Sequence, residues 1–215
     1  MSVSGMIDRA KLAKEYITDE YVKPYAVFDK FMRVAYIDKA KIASELDDAL
    51  INNEFKVYFQ PVVNPMTGKL ASAEALVRWQ HPEKGFISPA LFVPALEKNG
   101  YISKLDMYVY KQVRQFLEER YENGLPIVPV STNLSWMDFY DEDMMNWIVN
   151  DMCEFTKPKE LVRFEITETS YTAIEANRNK ILEKLREYGA TILMDDFGSG
   201  YSSFGLLQDY NFDIL

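Results

Sequence analysis

The sequence predicts an α/β fold with a mainly parallel sheet, and two observations support this prediction. From Val57 onward, short runs of β-forming residues alternate with helical stretches, the pattern typical of β/α units. Glycines at 100, 124 and 189 follow three of the helical stretches, at the position where glycine ends a helix. The residues before Val57 lack this alternation.

The first two predicted strands, residues 57–63 and 70–79, are joined by the turn sequence Asn64-Pro65-Met66-Thr67-Gly68. Because a short turn can join only antiparallel neighbours, we expect this pair to be antiparallel. Ser88 and Pro89 are typical of a helix start, and Gly100 ends that helix. The later predicted elements are an apolar helical stripe at 105–117, strands at 127–133, 161–166 and 191–196, helices at 147–155 and 181–188, and the beginning of a sixth strand at 212–215.

The upstream segment contains two predicted helices, at 8–17 and 38–50, joined by a tyrosine-rich connection. These pieces are too short to form a core of their own. We therefore interpret residues 1–37 as the tail of an upstream domain with a linker, and residues 38–215 as the amino-terminal part of one α/β domain that includes the connecting helix.

Composition narrows the functional classes. The formal net charge of −9 disfavours binding to nucleic-acid backbones. The sequence has one histidine, His81, and one cysteine, Cys153. A histidine-rich zinc or iron site is therefore excluded, any metal site must use oxygen ligands, and Mg²⁺ or Mn²⁺ is favoured. The single cysteine, which we expect to be buried in a helix, and the lack of a signal peptide or membrane span predict a cytoplasmic protein.

Four of the predicted strands are expected to end in polar residues with oxygen atoms: Glu74, Asn133, Glu165 with Glu168, and Asp195 with Asp196. Carboxyl ends of parallel strands converge in a β/α barrel. Carboxylates within apolar strands are costly to bury unless a cation or another partner compensates them. Each residue alone is better explained as a helix cap or an arginine partner, but four strands together favour a cation site.

Three further features lie around this set. Arg78 lies four residues after Glu74 in the same strand, so both side chains share a face, where a guanidinium can bind a phosphate. Gln60 on the first strand is either a polar contact or a pocket-lining residue, and His81 is interpreted as structuring its loop. The segment from Asp196 to Ser203 carries two glycines beside serines; it resembles a dinucleotide-binding loop only weakly, because the third glycine is absent and aspartates precede it.

These motifs resemble the EAL domain family of cyclic di-GMP phosphodiesterases. The matching segments, in order, are Glu74-Ala75-Leu76-Val77-Arg78-Trp79, Asn133-Leu134-Ser135, Glu165-Ile166-Thr167-Glu168 and Asp195-Asp196-Phe197-Gly198-Ser199-Gly200. Ser199 stands where threonine is commoner in the family. Residues 8–28 resemble the end of a GGDEF cyclase domain, which implies a tandem GGDEF–EAL parent with upstream cyclase-like and sensory domains.

The resemblance implies a (β/α)8-like TIM-type barrel with an antiparallel first strand, of which five to six strands are present. It implies hydrolysis of cyclic di-GMP to linear pGpG with two divalent cations, and a homodimer in the complete protein. The implied roles are cation binding by Glu74, Asn133, Glu165, Asp195 and Asp196, catalysis by Glu74, Asp195 and Asp196, substrate binding by Arg78 and Gln60, and anchoring of the glycine loop by Glu168, Gly198 and Gly200.

The chain departs from the family pattern at its end. The family has a lysine on the sixth strand, a glutamate on the seventh and a glutamine on the eighth, and none of these follows Asp213-Ile214-Leu215. A complete barrel of this type has ~250 residues. We therefore expect the chain alone to be an inactive fragment of such an enzyme; the alternative is a degenerate EAL domain that binds cyclic di-GMP or a protein without catalysis.

Overall fold

The structure is a computed structural model that describes residues 3–14, 25–28, 30–155, 158–167, 179–195 and 213. The helices are α1 (Val3–Lys14), α2 (Lys30–Ile51), α3 (Pro89–Lys98), α4 (Ile102–Glu122), α5 (Glu142–Glu154) and α6 (Asn179–Glu187), with 3-10 turns at Asp138–Tyr140 and Lys159–Leu161. The strands are β1 (Phe55–Val63), β2 (Leu70–His81), β3 (Gly85–Ile87), β4 (Val130–Asn133), β5 (Val162–Thr167) and β6 (Thr191–Asp195).

These strands form one sheet in the order β1-β2-β4-β5-β6, with β3 paired to β2. β1 and β2 are antiparallel, as the short turn predicts, whereas β2, β4, β5 and β6 are parallel neighbours. The predicted third, fourth and fifth strands are therefore β4, β5 and β6. The predicted mainly parallel α/β architecture is confirmed.

The sequence does not predict β3, which forms a tight hairpin with the end of β2. The Nδ1 atom of His81 accepts hydrogen bonds from the backbone N–H groups of Glu83 at 3.0 Å and Lys84 at 3.2 Å. Gly85 completes the turn with a φ of 70°, which glycine adopts without steric cost. His81 thus has the loop-structuring role that the sequence indicates.

β4 begins at Val130, three residues later than the predicted strand at 127. Proline at 126 and at 129 removes the backbone N–H groups that a ladder would need there. The carbonyl of Pro129 still accepts a hydrogen bond from Ala73 at 2.9 Å. Alternation alone predicts too long a strand because it does not count missing donors.

Helices α3 to α6 cover one face of the sheet and form the core with it. Trp79, Phe92, Leu105, Val130 and Phe164 are each almost fully buried in it. The apolar stripe of α4 supplies much of the helical side, as its spacing predicts.

Helix α5 starts earlier than the predicted 147. Asp141 accepts a hydrogen bond from the backbone N–H of Met144 at 2.9 Å and so caps its first turn. Cys153 in this helix is exposed, so its predicted burial is wrong. The buried stripe of α5 contains Met145, Ile148 and Met152, and Cys153 lies beside that stripe instead of within it.

Helix α2 is longer than the predicted helix at 38–50 and packs Ile42, Leu46 and Ala49 into the core. Its Glu45 contacts Lys84 at 2.6 Å and the Nε2 atom of His81 at 3.4 Å. The predicted boundary at residues 37 and 38 lies inside α2 and stays a prediction.

Two further predicted elements are only partly described. The predicted helix at 8–17 corresponds to α1 as far as Lys14, and residues 15–17 lie outside the described residues. Of the predicted sixth strand only Asp213 is described; its backbone N–H donates to the carbonyl of Ile192 at 3.1 Å. Within the described ranges, no helix combines the length and apolar character needed to span a membrane.

Candidate active site

Strand register brings the predicted site residues onto one face of the sheet. Gln60 pairs with Glu74 across β1 and β2, and Glu74 pairs with Ser131 across β2 and β4. Asn133 pairs with Glu165 across β4 and β5. Because side chains alternate between faces and directly paired residues share one, these residues point the same way.

The last strand of the described sheet continues this row. Thr167 on β5 pairs with Asp195 on β6, and Thr167 lies two residues after Glu165, so Asp195 shares the face. The opposite face carries buried residues such as Ala73, Val130 and Ile192, which pack under the helices. Five strands thus contribute to one polar row, which consists of Gln60, Glu74, Ser131, Asn133, Glu165 and Asp195.

Glu74 lies inside β2 and not at its end, which differs from the strand-end position predicted for it. β2 continues to His81, but its parallel pairing with β4 covers only Ala73 and Glu74. Glu74 therefore stands where the parallel part of the sheet stops. Beyond it β2 projects past its parallel neighbour, which places Arg78 near the mouth of the site.

Two of the predicted cation ligands are in direct contact. The Nδ2 atom of Asn133 donates a hydrogen bond to Oε1 of Glu74 at 3.3 Å. This contact leaves the amide oxygen of Asn133 as the atom available to a cation.

The Glu165 carboxyl group lies at the centre of the row. Burial raises its pKa, a hydrogen bond from Ser131 opposes the shift, and the nearby charges of Glu74 and Asp195 add to it, so that the pKa is about 7. Like charges that converge without a compensating cation give this pattern. The electrostatics of Glu165 therefore favour a positive group between these strands.

The donor set fits a hard divalent cation in its chemistry. Carboxylate and amide oxygens are the protein ligands of Mg²⁺ and Mn²⁺. Among the side chains that the structure describes, no three acidic, histidine or cysteine groups are arranged so that they hold a metal by themselves. Asn133 and Asp196 are the remaining predicted ligands, and Asp196 lies outside the described residues.

A pocket of ≈ 280 Å³ opens beside this row, between the ends of β2 and β4 and helices α3 and α4. Arg78 and Asn133 line it on the sheet side, and Glu97 and Asp106 line it on the helix side. Most of its other lining residues are apolar. Apolar walls with a few polar groups are typical of a small-molecule site.

Arg78 donates a hydrogen bond from Nη1 to the carbonyl of Val77 at 2.9 Å. Its position at the pocket agrees with the predicted substrate contact. Gln60 is exposed on β1 opposite Glu74, so it borders the row as predicted. The predicted residues Glu168, Gly198 and Gly200 lie outside the described residues.

Sequence reasoning misses three polar residues of this region. Ser131 precedes Asn133 by two residues, and strand alternation was the signal that places both on one face. Glu97 and Asp106 lie on helices beside apolar pocket residues. The signal for both was an acidic residue next to a buried helical stripe, which is unusual without a partner.

Comparison with known proteins identifies the family. The model of the EAL domain family matches residues 43–215, most of the chain. The chain belongs to the EAL domain family. The EAL residues Glu74, Asn133, Glu165 and Asp195 are the same ones that the sheet register brings together.

This EAL chain is similar to several bacterial signalling proteins. It is 31% identical over 186 residues to the probable cyclic di-GMP phosphodiesterase PdeG of Escherichia coli, and the matched segment covers 86% of this chain and 37% of that protein. It is 28% identical over 200 residues to the bifunctional diguanylate cyclase/cyclic di-GMP phosphodiesterase MucR of Pseudomonas aeruginosa, and here the matched segment covers 93% of this chain and 29% of that protein. An uncharacterized Synechocystis protein, sll1895, is 29% identical over 218 residues, 100% of this chain and 31% of its own length.

Solved structures of EAL-type proteins have a fold similar to that of this chain. The PaMucR phosphodiesterase in complex with c-di-GMP has a TM-score of 0.72 at 28% identity, with 80% of this chain and 70% of that chain covered. The EAL enzyme Bd1971 with cAMP and cyclic di-GMP bound has a TM-score of 0.71 at 25% identity, with 83% and 49% covered. The predicted TIM-barrel-like α/β fold is confirmed, and the chain spans about a third or less of the length of the first curated relatives that it matches.

Proposed function

We propose that this EAL domain takes part in the hydrolysis of cyclic di-GMP to linear pGpG, assisted by two divalent cations, Mg²⁺ or Mn²⁺. The observation that supports the proposal most directly is the polar row, in which Glu165 meets Glu74, Asp195 and Ser131. One relative is named a probable cyclic di-GMP phosphodiesterase and another a cyclic di-GMP phosphodiesterase. The proposal concerns the domain in its full protein, because this chain matches only part of each relative.

In this proposal Glu74, Asn133, Glu165 and Asp195 hold one cation, and Asp196 contributes to the second. When bound, two cations increase the acidity of an attacking water and neutralise charge on the phosphate during in-line displacement. Glu165 must be ionised to act as a ligand. Burial and the charges of Glu74 and Asp195 favour its protonated form, so it releases a proton when a cation binds. Asn133 orients Glu74 through their hydrogen bond of 3.3 Å.

Arg78 is proposed to bind a phosphate of the substrate. Its guanidinium presents a planar fork that matches phosphate oxygens. To do so it exchanges its hydrogen bond to the Val77 carbonyl for one to substrate. This positions the phosphodiester over the row that starts at Glu74, four residues earlier in the same strand.

The pocket beside Arg78 is proposed to hold one guanine base. Its ≈ 280 Å³ and its apolar lining suit a planar ring. The Glu97 carboxyl on its helix side can accept hydrogen bonds from the N–H groups of guanine. Burial outweighs a hydrogen bond from Ser135 and raises the pKa of Glu97. Hydrogen bonds from guanine N–H groups to this carboxyl group favour its ionised form.

The names of two relatives support a proposal about attached domains, whereas the proposed homodimer rests on the family resemblance alone. MucR is named as bifunctional, with a diguanylate cyclase activity, and a related structure is described as an S helix-GGDEF-EAL protein. We infer that this domain works downstream of a cyclase-like domain and as a homodimer. Size-exclusion chromatography with light scattering on the full protein tests the dimer.

Glu74→Ala tests the proposed function in the full protein. We expect loss of detectable hydrolysis of cyclic di-GMP at saturating Mg²⁺, because the substitution removes a cation ligand and the acceptor for Asn133. Glu142→Gln is the matched control, since Glu142 is an exposed carboxylate at the start of α5. Turnover by Glu74→Ala equal to that control would reject the site, whereas binding without turnover in the unsubstituted protein would favour the non-catalytic alternative.

A further inference from the structure

A second acidic cluster lies behind the loop that follows β4. This loop, residues 133–138, begins at Asn133 and ends at the buried Asp138 of the 3-10 turn. Asp106 on α4 faces Asp138, and Glu97 on α3 contacts the loop through Ser135. Three acidic side chains from three different elements therefore meet at one loop.

Asp138 holds the loop in shape. Its Oδ2 atom accepts a hydrogen bond from the backbone N–H of Ser135 at 2.8 Å, and its own N–H donates to the carbonyl of Ser135 at 3.1 Å. The Asp138 side chain is 0% exposed. The adjacent Leu134 N–H donates to the carbonyl of Glu165 at 2.9 Å, which ties the same loop to the strand that carries the central carboxylate.

The other oxygen of Asp138, Oδ1, is buried and has no conventional donor. Asp106 lies within hydrogen-bonding reach of the Asp138 carboxyl group, and two ionised carboxylates have no hydrogen to share. A single proton between the two carboxyl groups supplies the missing hydrogen bond and removes one buried charge. Buried polar atoms without partners are rare in folded proteins, so a shared proton is the arrangement that satisfies this one.

We propose that Asp106 and Asp138 hold one proton between them, and that this carboxyl pair is a positioning device for the loop that carries Asn133. The importance of Asn133 rests on the proposed function, whereas the shared proton does not. The pair acts on Asn133 through the loop backbone, and Asp106 also lines the pocket beside Arg78.

The electrostatic surroundings agree with a shared proton. Burial raises the pKa of both carboxyl groups, and for Asp106 the charge of Asp138 and then that of Glu97 add to the shift. For Asp138, hydrogen bonds from Ser103, Asp106 and Ser135 oppose the shift and the charge of Asp141 adds to it. The influences on the two groups among the described residues include neutral hydrogen-bond donors and acidic groups but no cationic side chain.

The sign of the pH dependence follows. A carboxyl group whose folded-state pKa is raised contributes stability that is complete below its unfolded value near ~4 and is lost as pH rises through the folded value. For a pair that retains one proton, the equilibrium constant for opening the loop therefore increases by about tenfold for each unit of rising pH between these two pKa values. An asparagine in either position carries its own hydrogen and removes this dependence.

Hydrogen–deuterium exchange of the full protein tests the pair. Asp106→Asn, Asp138→Asn and the exposed control Asp143→Asn are compared with the unsubstituted protein at equal pH, from about pH 5 to about pH 8, so that intrinsic exchange rates cancel. We expect protection of peptides covering residues 130–141 to increase with pH in both buried variants, relative to the unsubstituted protein, by up to about tenfold per pH unit. Parallel behaviour of all four proteins would overturn the shared proton.

The positioning role is tested by Mn²⁺ binding to folded Asp138→Ala and Asp138→Asn. Alanine removes the acceptor for the Ser135 N–H, and we expect Mn²⁺ affinity to fall by about tenfold, whereas asparagine retains it. Equal affinity in the alanine variant and the unsubstituted protein would overturn the role. Absence of Mn²⁺ binding in the unsubstituted protein would instead reject the proposed cation site, while the exchange comparison still decides on the shared proton.

Discussion

Cation binding and proton release should be coupled at Glu165, and the structure sets the size of the coupling. Burial and the charges of Glu74 and Asp195 raise the pKa of Glu165 to about 7. A carboxyl group with that pKa is about nine-tenths protonated at pH ~6 and about one-tenth protonated at pH ~8. Because only the ionised group ligates a cation, binding should release close to one proton at the lower pH and little at the higher pH.

The sign for affinity follows from the same pKa. Apparent affinity for Mg²⁺ should be nearly constant above about pH 8 and should fall by about tenfold for each pH unit below about pH 7. The assay is isothermal titration calorimetry of the full protein with Mg²⁺, in buffers of different ionisation enthalpy. The dependence of the observed heat on buffer gives the number of protons released.

Two comparisons make this result specific to Glu165. In Glu165→Gln we expect Mg²⁺ binding to be severely weakened, whereas the exposed control Glu142→Gln should release protons as the unsubstituted protein does. Tight Mg²⁺ binding at pH ~6 with no proton release would refute the reasoning. It would show that the carboxylates do not raise one another's pKa or that Glu165 is not a ligand.

Three further outcomes are expected. Arg78→Ala should raise the dissociation constant for cyclic di-GMP by about tenfold or more while leaving Mn²⁺ affinity unchanged. Arg78→Lys should restore only part of the lost affinity, because a point charge replaces a planar fork. Calorimetry with each ligand separates the two effects, and a loss of affinity confined to Mn²⁺ would contradict the role. Replacing Mg²⁺ by Ca²⁺ should abolish turnover while cyclic di-GMP still binds, since Ca²⁺ accepts longer bonds and more ligands and holds the attacking water less well. Turnover with Ca²⁺ equal to that with Mg²⁺ would argue against a site whose activity depends on the coordination geometry of the cation. Asp141→Ala should destabilise α5 by about 1 kcal/mol through loss of the bond to the Met144 N–H, measured as faster hydrogen exchange in that helix, and unchanged exchange would show that the cap contributes nothing.

The row of site residues is predictable from the sequence because its signal is local. Glu74, Glu165 and Asp195 are acidic residues within apolar strands, and any sheet that places those strands side by side brings them together. The register that pairs Asn133 with Glu165 confirms an arrangement that alternation and strand order already indicate.

The acidic cluster behind the row is not predictable in this way. Asp106 and Asp138 are separated along the chain and lie on a helix and a one-turn 3-10 segment, where an acidic residue is usually solvated. Only packing of α4 against the turn after β4 brings Asp106 against the buried Asp138. The short strand β3 was missed for a related reason, since its hairpin depends on backbone hydrogen bonds to the ring of His81.

The row across five strands also determines when the site can exist. Gln60, on the first strand, and Asp195, on the last described strand, are distant in sequence. The turn between β1 and β2 pairs Gln60 with Glu74, but Glu74, Asn133, Glu165 and Asp195 lie on four strands that no single turn brings together. Such long-range pairings form late and together in folding. The unfolded chain therefore has no partial version of this cation site, and a cation that binds there stabilises only the folded sheet. Resistance to unfolding as a function of Mg²⁺ concentration is thus a direct measure of how completely the strands have assembled.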